Sequence, residues 1–138
     1  MNRDDFQALS RLRKTEAKAL LDAAQYTGSY YLMGYAVECA LKACIAKTVR
    51  RNDFPEKDTS GFYTHNLERL MQSAQLQPAY QATVQLLPAL AVNWATVKEW
   101  RETLRYRPQL VTEVEAKDFY RACTARRSGV LTWVAQKW

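Results

Sequence analysis

The sequence predicts an all-α fold: a bundle of about five helices forming a single domain over residues 1–138. Three observations carry that expectation. Apolar residues recur at helical spacing through nearly the whole chain, and strand-like alternation is hard to find. Glycine and proline number only 4 each, too few for a many-turned sandwich or a glycine-rich phosphate loop. Hydrophobic residues make up 48% and charged residues 25% of the chain, which suits a compact soluble domain and excludes disorder. At 138 residues there is enough chain for one core and too little for two.

The first helix is expected from about Asp4 to Ala24, with Asp4 and Asp5 near its positive end. Gly28-Ser29 then separates it from a second helix, about Tyr30 to Val49. Residues 50–63 carry Pro55, Gly61 and mixed charge, and read as the one long loop. Thr64 is placed as the N-cap of a third helix, with Glu68 near its first turn. Pro78 suits the first turn of a short helix. Asn93 is placed as the cap of the next, which ends before Pro108. Thr112, three residues before Glu115, resembles a capping box for a last helix that bends at Ser128-Gly129 on its way to Trp138.

The second helix is the most informative segment. Val37, Leu41, Cys44 and Thr48 share one face, an ordinary core stripe, and Ala36, Ala40 and Ala43 beside it permit close approach of a neighbour. Tyr31, Tyr35, Glu38 and Lys42 fall on a third face. Glu38 stands one turn before Lys42, the favourable order for an ion pair. Two interpretations stay open: a solvated surface pair worth roughly 0.3–0.5 kcal/mol, or one wall of a binding cleft flanked by stacking tyrosines.

Chemistry can also gather near Arg101, Arg105 and Tyr106. Trp94, Val97, Arg101 and Leu104 share a helical face, so Arg101 interrupts an apolar stripe. A guanidinium held there offers forked donors suited to phosphate. The alternative is that Arg101 snorkels, or pairs with Glu38 or Glu102.

The net charge is +6, distributed unevenly. Residues 1–51 hold nine basic and five acidic side chains, residues 52–97 two and four, and residues 98–138 nine and five. Packing the first and last helices together would gather the two basic ends into one positive face attractive to polyanions. Arg126 and Arg127 are expected to reinforce it, with Arg127 directed toward the stripe of Phe119, Cys123 and Val134.

Several classes are excluded or disfavoured. No stretch is long and apolar enough to span a membrane, and the charged start MNRDDFQALSRLRK lacks the apolar run of a secretory signal. Cys39, Cys44 and Cys123 show neither CxxC nor zinc spacing, and Cys39 and Cys44 point in different directions on one helix. A reducing cytoplasmic setting follows as the expectation. His65 is the single histidine, so no histidine-rich metal site is expected, and no nucleophile-elbow, HExxH, P-loop or dinucleotide motif is present. No cofactor is expected. The four tryptophans, Trp94, Trp100, Trp133 and Trp138, read as packing or interface anchors and lead to the expectation of a homodimer.

Taken together, AKALLDAAQYTGSYYLMGYAVECALKACIAK with Glu38, Leu41 and Lys42, then THNLERLM at Thr64 to Met71, then RYRP at Arg105 to Pro108, resembles the HEPN family over roughly residues 16–108. These are small prokaryotic helical domains of defence and toxin–antitoxin systems. The resemblance implies a dimerising helical bundle with a polar cleft for nucleotide or RNA, often working beside a minimal nucleotidyltransferase. Many members are metal-independent ribonucleases in which an arginine is followed a few residues later by a histidine. Histidine manages the proton of the ribose 2′-hydroxyl, and arginine stabilises charge building on the phosphate. Here no histidine follows Arg101 or Arg105, and Tyr106 stands in that place. The expectation is therefore a non-catalytic domain binding nucleotide or RNA phosphate through Glu38, Lys42, His65, Arg101, Arg105, Tyr106 and Tyr35. Its rivals are a ribonuclease toxin with a nonstandard site using His65 or Tyr106, and an interaction module for a nucleotidyltransferase partner.

Overall fold

The structure, a computed structural model, describes residues 1–48, 63–101 and 110–138. Among them the only regular elements are seven helices: α1 Arg3–Asp22, α2 Tyr26–Ala46, α3 Leu67–Ser73, α4 Gln77–Leu86, α5 Ala89–Val97, α6 Glu113–Thr124 and α7 Val130–Val134. The all-α expectation holds. None of these helices is long and apolar enough to cross a membrane.

α1 and α2 form an antiparallel hairpin closed by small residues. Ser10 Oγ donates to the Ala36 carbonyl and Ser29 Oγ to the Ala17 carbonyl, each at 2.7 Å, so the two backbones lie close. Ala17, Ala36, Ala40 and Ala43 are fully buried along this seam. The turn between the helices is not at Gly28-Ser29. Ala24 takes the left-handed conformation (φ 58°), and Gln25 N–H donates back to the Leu20 carbonyl, ending α1 there. Gly28 and Ser29 lie inside α2 instead, and Ser29 is needed by α1 as a donor.

α2 is the central element, with 12 of its 21 residues buried, and α1, α3, α6 and α7 pack around it. Val37, Leu41 and Cys44 are core, as their spacing predicts, while Thr48 is exposed beyond the helix end. Two caps differ from expectation. Asn66, not Thr64, caps α3, accepting from Arg69 N–H at 3.0 Å, while Thr64 Oγ1 accepts from Asn66 N–H. Asn93 sits inside α5 and its Nδ2 donates to the Ser128 carbonyl at 2.9 Å, a tie across 35 residues that local spacing does not reveal. Pro78 lies in the first turn of α4, and Thr112 caps α6 by accepting from Glu115 N–H.

The last helical stretch is broken, not bent. A Cβ on Gly129 would lie 2.6 Å from Ala125 and Cys123 backbone atoms, so only glycine lets the chain fold back between α6 and α7. Phe119, Cys123 and Val134 join the core, but Arg126 and Arg127 are exposed in the connection, and Arg127 does not cover that stripe. Trp94, Trp100 and Trp133 are buried within the chain itself and serve as packing anchors.

Candidate functional site

The site begins with a glycine. Gly34 occupies the middle of α2, where it costs helix stability relative to alanine. Its use is steric: a Cβ there would fall 2.0 Å from Trp100 Cε2. Trp100 therefore lies directly on the α2 backbone, fully buried, with its ring 5.1 Å from Tyr35 and 6.2 Å from Tyr31. Its indole N–H finds no hydrogen-bond partner among the described residues. The Tyr31 hydroxyl donates to that of Tyr35 at 3.1 Å, and the Tyr35 ring meets the edge of His65 at 6.1 Å.

Glu38 lies one turn beyond Gly34 and Tyr35 on α2. It is 3% exposed, so the solvated-pair interpretation fails. Two elements satisfy its carboxylate. From α2 itself, Lys42 Nζ donates to Oε1 at 2.9 Å. From the segment before α3, His65 Nδ1 sits 3.1 Å from Oε1 and 3.0 Å from Oε2. A carboxylate that already accepts from an ammonium accepts again, so Nδ1 carries the proton, and Nε2 is the ring nitrogen that Glu38 does not engage. The His65 side chain is 45% exposed, whereas those of Glu38 and Lys42 are 5% and 13% exposed. The result is a buried carboxylate that fixes an accessible imidazole and holds an ammonium beside it.

The pairing of His65 with Glu38 joins residues 27 apart and was not legible in the sequence, where no acidic cluster surrounds His65. One signal existed: an isolated glycine between aromatic residues on a helix points to close packing. Trp100 brings the chain at residue 101 to the same region of α2, but Arg101 does not reach Glu38. Its Nη1 donates to the carbonyls of Lys98 (2.8 Å) and Trp100 (2.9 Å), capping the end of α5. The pairing with Glu38 is therefore not made, and Glu102, the other expected acid, lies outside the described residues. Arg105 and Tyr106 lie outside the described residues.

Burial, and then the nearby Glu38 charge, push the Cys39 thiol up to about 11; burial alone chiefly raises Cys44 to about 11 and Cys123 higher still. Only the thiolate is nucleophilic. Native protein at pH about 8 is therefore expected to react sluggishly with Ellman's reagent, and denaturant is expected to release all three thiols promptly. Fast labelling of any cysteine in the folded protein contradicts this packing. Among the described residues no group of three histidine, cysteine, aspartate or glutamate side chains is placed to hold a metal.

No protein-family model, curated protein or solved structure matches this chain.

Proposed function

We propose that the chain is a HEPN-like domain that binds the phosphate of a nucleotide or RNA strand on the α2–His65 face, without itself cleaving it. The single observation that supports this most is the buried Glu38 carboxylate, which fixes His65 and Lys42 from two different elements at one place. Fixing the ammonium and the imidazole before the ligand arrives lowers the ordering cost of binding, and His65 meets phosphate as the imidazolium, donating from Nε2 while Nδ1–H stays on Glu38. Tyr35, in edge contact with His65, offers a ring beside them on which a base can stack. In this reading Arg105 and Tyr106 supply further contacts, and Arg101 contributes whichever donors its carbonyl contacts leave. The chain would act in the cytoplasm, in a toxin–antitoxin or defence setting, as a homodimer or beside a minimal nucleotidyltransferase.

Titrating ATP and a short RNA against wild type, His65→Ala and Arg105→Ala tests the proposal. Each variant is expected to bind about tenfold more weakly, the effect of losing one charge-assisted contact. Binding equal to wild type in both variants overturns it.

One observation favours a second reading, metal-independent RNA cleavage. A carboxylate on Nδ1 of a half-exposed imidazole is the arrangement of a general base acting through Nε2. Incubation of purified protein with total RNA, with and without EDTA, separates the two. Cyclic-phosphate products that persist in EDTA and vanish in His65→Ala would make the domain a ribonuclease.

A further inference from the structure

A second surface, remote in sequence from Glu38 and His65, combines charge, concavity and aromatic rings. Between the C-terminal half of α1, the start of α2 and α6 lies an open cleft of about 580 Å³. Lys18, Lys117 and Arg121 line it, with Tyr26 and Tyr120 between them and Asp22 as its acidic member. A neighbouring cleft of about 410 Å³ continues along α1 past Arg11 and Lys14. The two share Lys18 and Tyr120, so they form one groove.

The charges are partly compensated. Lys18 pairs with Asp22 at 2.5 Å, Lys117 with Glu113 at 2.6 Å and Arg121 with Asp118 at 3.4 Å, all on exposed surfaces. Surface pairs of this kind are held weakly and exchange readily for another anion. Arg11 and Lys14 have no carboxylate partner among the described residues; Arg11 lies 5.1 Å over the Trp138 ring. Counting those carboxylates, five cations face three anions, so the groove is net positive. Its walls come from the two basic ends of the sequence, as the charge distribution led one to expect.

Spacing points to the shape of the ligand. Arg11, Lys14 and Lys18 follow one another at helical steps of three and four, so they line one side of α1 over about 10 Å. One phosphate cannot touch both ends of that row; a chain of them can. Tyrosine rings among the cations add platforms for unpaired bases, which a duplex does not offer.

We infer that the α1–α6 groove tracks the phosphodiester backbone of a single-stranded nucleic acid. It extends the phosphate-binding reading to a separate surface, and the two are separable by experiment. Fluorescence anisotropy is measured on wild-type protein with labelled oligouridylates of about 4 and about 16 nucleotides and with a deoxythymidylate of the longer length. Lys14→Ala/Lys18→Ala is expected to weaken the long RNA about tenfold and to lower its salt slope by about 1.4, two phosphates' worth. Lys14→Arg/Lys18→Arg retains the affinity, which guards against a folding defect. Arg126→Ala/Arg127→Ala removes the same charge outside the groove and is expected to leave affinity within about twofold.

Equal losses in the two alanine pairs, or none in either, overturn the groove. A loss confined to the groove pair, with His65→Ala inert on the short RNA, upholds the groove and overturns the α2–His65 site. The reverse pattern does the opposite. Equal binding of the long RNA and DNA indicates recognition of the shared phosphate backbone, and preference for RNA adds contact to the 2′-hydroxyl.

Discussion

Gly34→Ala is expected to destabilise the protein by about 3 kcal/mol, although alanine is the better helix former. Two effects oppose each other. Filling a helix interior with alanine gains up to about 1 kcal/mol of propensity. Against it, the new methyl would stand 2.0 to 2.3 Å from three atoms of the Trp100 indole, a distance no carbon pair tolerates. Trp100 is completely buried, so it has no free volume to retreat into. Displacing it forfeits burial worth about 3–5 kcal/mol if complete, and the helix gain offsets only a fraction. Gly28→Ala supplies the control, since its Cβ would meet only the end of the Leu20 side chain, Cδ1 at 3.2 Å, and the change is expected to stay within about 1 kcal/mol. Urea denaturation of both variants measures the contrast. Equal stability of the two would mean that Trp100 does not lie on α2.

Glu38→Ala is expected to cost about 3 kcal/mol. A buried carboxylate shared by two donors contributes little beyond an apolar pair of similar shape, but its loss alone is severe, because the Lys42 ammonium is largely enclosed and both donors were oriented by it. Glu38→Leu combined with Lys42→Met is expected to recover most of that stability while abolishing the donor pair. His65→Ala should cost under about 1 kcal/mol, since the imidazole is nearly half exposed. This ordering identifies His65 as the safe position for functional tests. A Glu38→Ala variant as stable as wild type would place the carboxylate in water.

Periodicity and cap chemistry made much of the helical layout legible. The capping serine-type signal at Thr112, the first-turn proline at Pro78 and the close-packed alanines of α2 each express a local rule, and each appears where that rule puts it. Two of the misplacements share a physical origin. Ala24 adopts a left-handed turn that alanine disfavours, because the α1–α2 seam demands it. Asn93 has a capping side chain, but spends it on Ser128 across the fold. Both are tertiary decisions overriding local preference.

The site divides along the same line. The Glu38–Lys42 turn was visible as an i,i+4 pair, but not its burial or the His65 imidazole that meets the carboxylate from another segment. Arg101 was legible as a partly buried guanidinium, though not as the cap of α5. His65 illustrates the limit most clearly: its carboxylate lies on α2, 27 residues earlier in the chain.

Because His65 is the single histidine of the chain, its ring nitrogens give unambiguous NMR signals. Long-range proton–nitrogen correlation spectra, recorded during titration with a short RNA, test the α2–His65 site most directly. Expected are a proton on Nδ1 throughout and, once phosphate is bound, a second proton on Nε2 that marks the donating imidazolium. An Nδ1 without its proton, or ring nitrogens indifferent to saturating RNA, would contradict this site.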